Sequence, residues 1–91
     1  MSNRFQIWIK DNEGNRTQIR VTKDMQIKEV KELFIQSNPE MGDYKTLELF
    51  FNGNQLNDNQ TLGELKIRNG KTLVMLDVDE LIKAAFLNKF Y

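Results

Sequence analysis

The stretch that decides the fold covers residues 47–56 and reads LELFFNGNQL. Apolar residues recur at every second position along 47–51, the period of a strand with one buried face. The inward residues of this strand are Leu47, Leu49 and Phe51. Asn52-Gly53 follows at once, and both residues tolerate the positive φ angles of a tight hairpin turn. The sequence therefore predicts a strand, a turn and a brief returning strand at Gln55-Leu56.

The N-terminal part of the chain predicts a second hairpin. Residues 5–9 and 17–21 both alternate between apolar and polar side chains. Their inward residues are Phe5, Ile7, Ile9, Ile19 and Val21. Gly14 lies in the short connection and can take a positive φ, so a glycine bulge fits the spacing.

The segment between these hairpins changes to a helical period. Its apolar residues fall at i, i+3, i+6 and i+7, which predicts an amphipathic helix of about three turns. They are Ile27, Val30, Leu33 and Phe34. Asp24 is the better candidate N-cap and Gln26 the poorer one. The helix is expected to end by Asn38, because Pro39 follows.

The remaining segment predicts a short turn and a last strand. Thr61 and Glu64 have the spacing of a capping box, which predicts a single helical turn over 61–65. Residues 72–78 form the last strand, with Leu73 and Met75 on one face and Val74 and Leu76 on the other. The predicted order β-β-α-β-β-turn-β is an α+β fold.

The composition excludes several functions. With 91 residues the chain is about one domain, and its 13 basic and 13 acidic residues cancel, which argues against nucleic acid as a partner. It contains no cysteine or histidine, so thiolate or imidazole metal sites and Ser–His or Cys–His catalysis are excluded. No apolar run approaches the length of a membrane span. We therefore expect a non-enzyme without cofactor, metal or membrane contact.

Turn glycines and apolar spacing carry a family resemblance. The positions in question are Gln6, Ile7, Lys10, Gly14, Val21, Ile27, Val30, Lys31, Leu49, Phe51, Gly53, Gln55, Leu56, Asp58, Thr61, Leu62, Ile67, Thr72 and Leu73. At these positions the chain resembles ubiquitin, over roughly residues 5–78. The resemblance implies a β-grasp domain over residues 4–78, a mixed sheet of about five strands packed on one helix.

The resemblance also implies recognition by other proteins through an apolar patch on the outer sheet face. Aligned to this sequence, the patch falls on Asn12, Phe50, Val74 and Leu76, beside Gly53. The chain departs from the family here, since Asn12 is polar where ubiquitin has leucine. Glu48, Asp77 and Val78 replace basic or aliphatic rim positions. Trp8, outward on the first strand near Arg16 or Gln18, is a candidate for a second contact surface.

Residues 79–91 extend beyond the resemblance and have apolar residues at helical spacing. They predict a short C-terminal helical extension, which either covers the patch, docks on a partner or stays free. The chain as given ends at Tyr91 without the Gly-Gly pair of conjugated relatives. Two functions stay open. One is a non-catalytic protein-interaction domain, and the other is a covalent modifier matured or transferred at Tyr91 by self-processing, intein-like chemistry.

The resemblance implies two possible chain-linkage lysines, Lys10 and Lys31, whose alternative role is that of solubilising surface charges. The expected partners are ubiquitin-binding-type domains or processing enzymes. We expect the domain to be a monomer inside the cell, in the cytoplasm or the nucleus.

Overall fold

The computed structural model describes residues 4–42 and 44–78. The elements appear in the order that the sequence predicts. They are β1 (Arg4–Lys10), β2 (Arg16–Thr22), α1 (Ile27–Ser37), two single 3₁₀ turns (Pro39–Met41 and Tyr44–Thr46), β3 (Leu47–Phe51), β4 (Asn54–Gln55) and β5 (Thr72–Asp77). The predicted helical extension over residues 79–91 lies outside the described residues.

The five strands form one mixed sheet in the order β2-β1-β5-β3-β4. The central strand β5 runs parallel to its neighbour β1, and every other neighbouring pair is antiparallel. This is the mixed sheet with one helix that the resemblance implies, and the α+β prediction is confirmed.

The core lies between the inner face of the sheet and α1. Its buried apolar residues are Ile7, Ile9, Ile19, Val21, Ile27, Val30, Phe34, Leu47, Leu49, Leu56, Leu62, Ile67, Leu73 and Met75. The predicted inward residues of the strands are all in this set, except Phe5 and Phe51, which are half-buried and pack against its edge. Each buried aliphatic or aromatic side chain contributes roughly 1.5–3 kcal/mol before chain entropy is counted.

The start of α1 differs from the favoured prediction. Gln26, not Asp24, is the N-cap, and its backbone N–H donates to Glu29 Oε1 at 3.4 Å. The next two backbone N–H groups, of Ile27 and Lys28, donate to carbonyl oxygens of the 57–60 loop at 2.9 and 3.1 Å. The loop therefore satisfies helix-end donors that a side-chain cap would otherwise have to satisfy.

The end of α1 is as predicted. Asn38 is the C-cap, and its side-chain Nδ2 donates to the carbonyl of Phe34 at 3.0 Å.

The structure refines two smaller predictions. The returning strand is Asn54–Gln55, and Leu56 follows it with its side chain buried in the core and its backbone N–H donating to the carbonyl of Leu49 at 2.9 Å. Residues 61–65 are not part of a regular helix, but the backbone N–H of Leu65 donates to the carbonyl of Thr61 at 3.2 Å, which is the bond of one helical turn, and the predicted capping box is present. In that box the backbone N–H of Thr61 donates to Glu64 Oε1 at 2.9 Å, and the N–H of Glu64 donates to Thr61 Oγ1 at 3.1 Å.

Candidate functional site

The outer face of the sheet carries one row of side chains across three strands. Val74 on β5 is the register partner of Phe50 on β3 and of Lys10 on β1. Residues that are opposite in a ladder share a face, and their Cβ atoms lie about 4.5–5.5 Å apart in an antiparallel pair. Lys10, Val74 and Phe50 are therefore neighbours on the face away from α1.

The row is apolar at its centre and open to solvent there. Val74 is 42% exposed although β5 lies in the middle of the sheet, while Phe50 and Leu76 are half-buried. Leu76 continues the same face one step further along β5, opposite Glu48. The structure thus brings together Phe50, Val74 and Leu76, the three apolar residues that the resemblance assigned to the patch. We call these three residues the β5 patch.

Polar and charged groups surround the β5 patch. Lys10 is exposed at the β1 end of the row. On the other side, the Glu48 carboxylate accepts a hydrogen bond from Gln55 Nε2 at 2.9 Å. A surface with an apolar centre and a polar rim is the usual arrangement of a protein contact site.

Asn12 and Gly53 lie at opposite ends of the β5 patch. They belong to the turns that follow β1 and β3, and these strands run in opposite directions on either side of β5. The Asn12 turn is held by Asp11, whose Oδ1 accepts the backbone N–H groups of Glu13 and Asn15, both at 2.9 Å. Both Asn12 and Gly53 are exposed.

Trp8 lies on the same outer face, one row away from Val74. It is half-buried and is opposite Gln18 on β2 and Thr72 on β5, while Arg16 is opposite Lys10. A hydrogen bond of 2.6 Å joins the Gln18 and Gln6 side chains beside it. Trp8 therefore adds a half-buried aromatic ring to the outer face, next to the row that contains Val74.

Lys31 is the largest departure from the sequence interpretation. Its side chain is only 3% exposed, and its Nζ lies 2.5 Å from Asp58 Oδ1 and 4.0 Å from Glu48 Oε2. It is neither a solubilising surface charge nor an amine open to chain linkage in this structure. The spacing contained a signal for this, since Lys31 follows Ile27 by four positions and precedes Phe34 by three, on the buried helix face.

The described residues contain no group of three or more acidic side chains that could hold a metal ion. Within residues 4–42 and 44–78, no helix is long and apolar enough to cross a membrane. The outer face of the sheet can serve as a contact surface, with apolar side chains at its centre and hydrogen-bonding groups at its rim.

Comparison with known proteins agrees with the fold. A family model described as "Ubiquitin-2 like Rad60 SUMO-like" (Rad60-SLD) matches residues 5–78, which is most of the chain. The chain belongs to this ubiquitin-like family. No curated protein matches it. Domains of the Rad60-SLD family are generally non-catalytic, and ubiquitin-like domains generally interact with other proteins.

Proposed function

We propose that this chain is a non-catalytic protein-interaction domain that a partner protein recognises through the β5 patch. The observation that carries the proposal is the exposure of Val74 beside Phe50, at the centre of the sheet. Clustered apolar side chains that stay open to solvent mark interaction sites more often than isolated ones do. An aromatic residue at the centre of such a cluster is a suitable anchor.

The polar residues around the β5 patch determine which class of partner protein fits. Asn12 and Glu48 stand where ubiquitin presents leucine and a basic or aliphatic position, so a partner adapted to the basic rim of ubiquitin would bind poorly. The partner that fits best is a ubiquitin-binding-type domain with an apolar face and groups that pair with Lys10 and Gln55. We place the encounter inside the cell, in the cytoplasm or the nucleus, with the domain acting as a monomer.

The test uses Val74→Lys, because a lysine at this exposed position places a charge in the patch without opening the core. Tagged wild type, Val74→Lys and the control Gln36→Lys, an exposed change on α1, are used to capture proteins from native cells. A binder that Gln36→Lys retains and Val74→Lys loses is then purified and titrated into ¹⁵N-labelled domain. Amide shifts confined to the neighbourhood of Phe50, Val74 and Leu76 would support the proposal. A binder whose shifts lie elsewhere would contradict it.

The competing function, a covalent modifier joined through Tyr91, needs its own experiment. An N-terminally tagged copy is expressed in its native coding context, with and without changes at Phe90 and Tyr91, and examined by denaturing immunoblot. A ladder of heavier bands that the tail changes abolish would establish the modifier. A single band that the tail changes leave in place would eliminate it.

A further inference from the structure

A concave surface, separate from the β5 patch, lies at the other end of β1 and on the other face of the sheet. It is a pocket of about 370 Å³ beside Phe5, within the size range of binding pockets. Phe5 and Lys10 are five positions apart on one strand, which separates the pocket from the row at Val74 by roughly 17 Å. The pocket is therefore distinct from the β5 patch.

Two connections build the walls of the pocket. The backbone N–H of Gly63 donates to the carbonyl of Lys23 at 2.8 Å, and a Cβ at position 63 would lie 3.1 Å from the same oxygen. In the second connection, Asn69 Oδ1 accepts the backbone N–H of Gln6 at 3.0 Å, and the N–H of Gly70 donates to the carbonyl of Gln6 at 2.7 Å. Hydrogen bonds thus fix one wall to the residue that follows β2 and the other wall to β1.

The floor of the pocket is apolar. Phe5 is half-buried at the edge of the core, and Ile67, which also lines the pocket, is buried. Among the strand residues predicted to face inward, only Phe5 and Phe51 remain partly exposed. An apolar side chain from a partner could cover the remaining surface of the Phe5 ring and gain the free energy of leaving water.

The rim of the pocket is basic. Lys23, Lys66 and Arg68 line it and are exposed, and no carboxylate is among the lining residues. None of the three cations forms an ion pair with a carboxylate of the described residues. The whole chain has zero formal net charge, so overall composition does not make this surface positive. The local positive field comes from the three cations that lie together at the rim.

We propose that this pocket binds an acidic peptide segment of a partner protein, with one apolar side chain placed on Phe5 and carboxylates next to Lys23, Lys66 and Arg68. Charge complementarity selects this occupant, since an anionic segment is steered toward the three cations and the apolar floor supplies an anchor site. A nucleic acid fits less well, because phosphate binding draws on a larger basic excess than a neutral chain offers.

The test is a random linear peptide library displayed on phage and selected on the wild-type domain. Each enriched peptide is synthesised with a fluorescent label and titrated, by anisotropy, against three proteins. These are wild type, Lys23→Glu/Arg68→Glu, and the control Lys28→Glu/Arg16→Glu, which makes the same change in net charge at exposed positions away from the pocket. Circular dichroism confirms that all three are folded.

The expected result is enrichment of peptides with acidic residues around an aromatic or aliphatic one. Their affinity should fall at least about tenfold in the pocket variant and stay within about twofold in the control. Amide shifts in ¹⁵N-labelled domain should fall around Phe5 and residues 63–69, and Phe50→Ala should leave the binding unchanged. Failure to enrich any peptide, equal loss in both variants, or shifts at the β5 patch would each overturn the proposal. So would binding of anionic phosphatidylserine vesicles in place of peptides.

Discussion

Lys31 Nζ lies 2.5 Å from Asp58 Oδ1, although the lysine side chain is 3% exposed and the aspartate side chain 43% exposed. The two residues are 27 positions apart. Lys31 is on α1, and Asp58 is in the loop whose carbonyl oxygens accept hydrogen bonds from the first N–H groups of that helix. The pair is open to water on one side only. Removing the carboxylate would leave an ammonium that cannot reach solvent, whereas removing the ammonium would leave a carboxylate that can.

The first prediction follows from this asymmetry. Asp58→Ala is expected to lower the free energy of unfolding by about 1–3 kcal/mol, because Glu48 at 4.0 Å compensates only in part. Lys31→Met should cost less, and the double variant should resemble Lys31→Met alone. Urea unfolding measures all three. The control is Asp24→Ala at an exposed carboxylate, and equal losses for Asp24→Ala and Asp58→Ala would show that the pair has no structural role.

The second prediction concerns the hairpin turn between β3 and β4. Asn52 and Gly53 have φ angles of 52° and 82°, and a Cβ at position 53 would meet no atom within 4 Å. Gly53→Ala is therefore expected to cost about 1–2 kcal/mol through backbone conformation alone. A synthetic chain with D-alanine at position 53 should escape the loss, since D-residues favour this region. Equal thermal stability of the L- and D-alanine proteins would contradict the explanation.

The third prediction concerns the capping box of Thr61 and Glu64. Thr61→Ala removes the acceptor of the Glu64 backbone N–H and is expected to cost about 1 kcal/mol in chemical denaturation. Thr61→Ser keeps the hydroxyl and is the matched control, with most of the stability retained. If Thr61→Ser and Thr61→Ala lower the free energy of unfolding equally, the contribution of Thr61 comes from its methyl group and not from its hydrogen bond.

The fourth prediction separates folding from binding at the β5 patch. Phe50→Ala and Leu76→Ala should stay folded with losses below about 2 kcal/mol, because both side chains are only half-buried. Their affinity for a patch-binding partner should fall about thirtyfold or more, as expected for central apolar anchors. Calorimetric titration with the partner, beside urea unfolding of the same samples, makes the comparison. Affinity that falls only in step with stability would argue against direct contact.

The sequence was most informative where a residue's role depends on its immediate neighbours. Alternation placed Leu73 and Met75 inward and Val74 and Leu76 outward on β5, and the structure has the same division. Of the two candidate helix caps, the less favoured Gln26 is the actual one, for a tertiary reason. Asp24 has the better capping side chain, but the 57–60 loop supplies acceptors for the first helical N–H groups, so the helix starts after Gln26.

The candidate site also has features that the sequence predicts and features that depend on tertiary structure. The outward positions of Phe50, Val74 and Leu76 could be predicted, because each depends on strand period. Their contact could be given only by a resemblance, since it requires β5 to lie between β1 and β3. The Phe5 pocket was not predicted at all. Its cations come from two segments of the chain that are more than 40 positions apart, with Lys23 in one and Lys66 and Arg68 in the other, so no local pattern joins them.

By itself the sequence determined the strand and helix periods, the Asn52-Gly53 turn and an α+β order, because these depend on residues a few positions apart. Only the tertiary structure decided which strands are neighbours, that Lys31 is buried against Asp58, and that Asn69 holds Gln6 across 63 positions. Such contacts arise when burial of the apolar faces brings distant segments together. The partner of a buried charge or of a backbone N–H is then whichever group lies next to it in the folded chain. A local sequence pattern contains no information about that group.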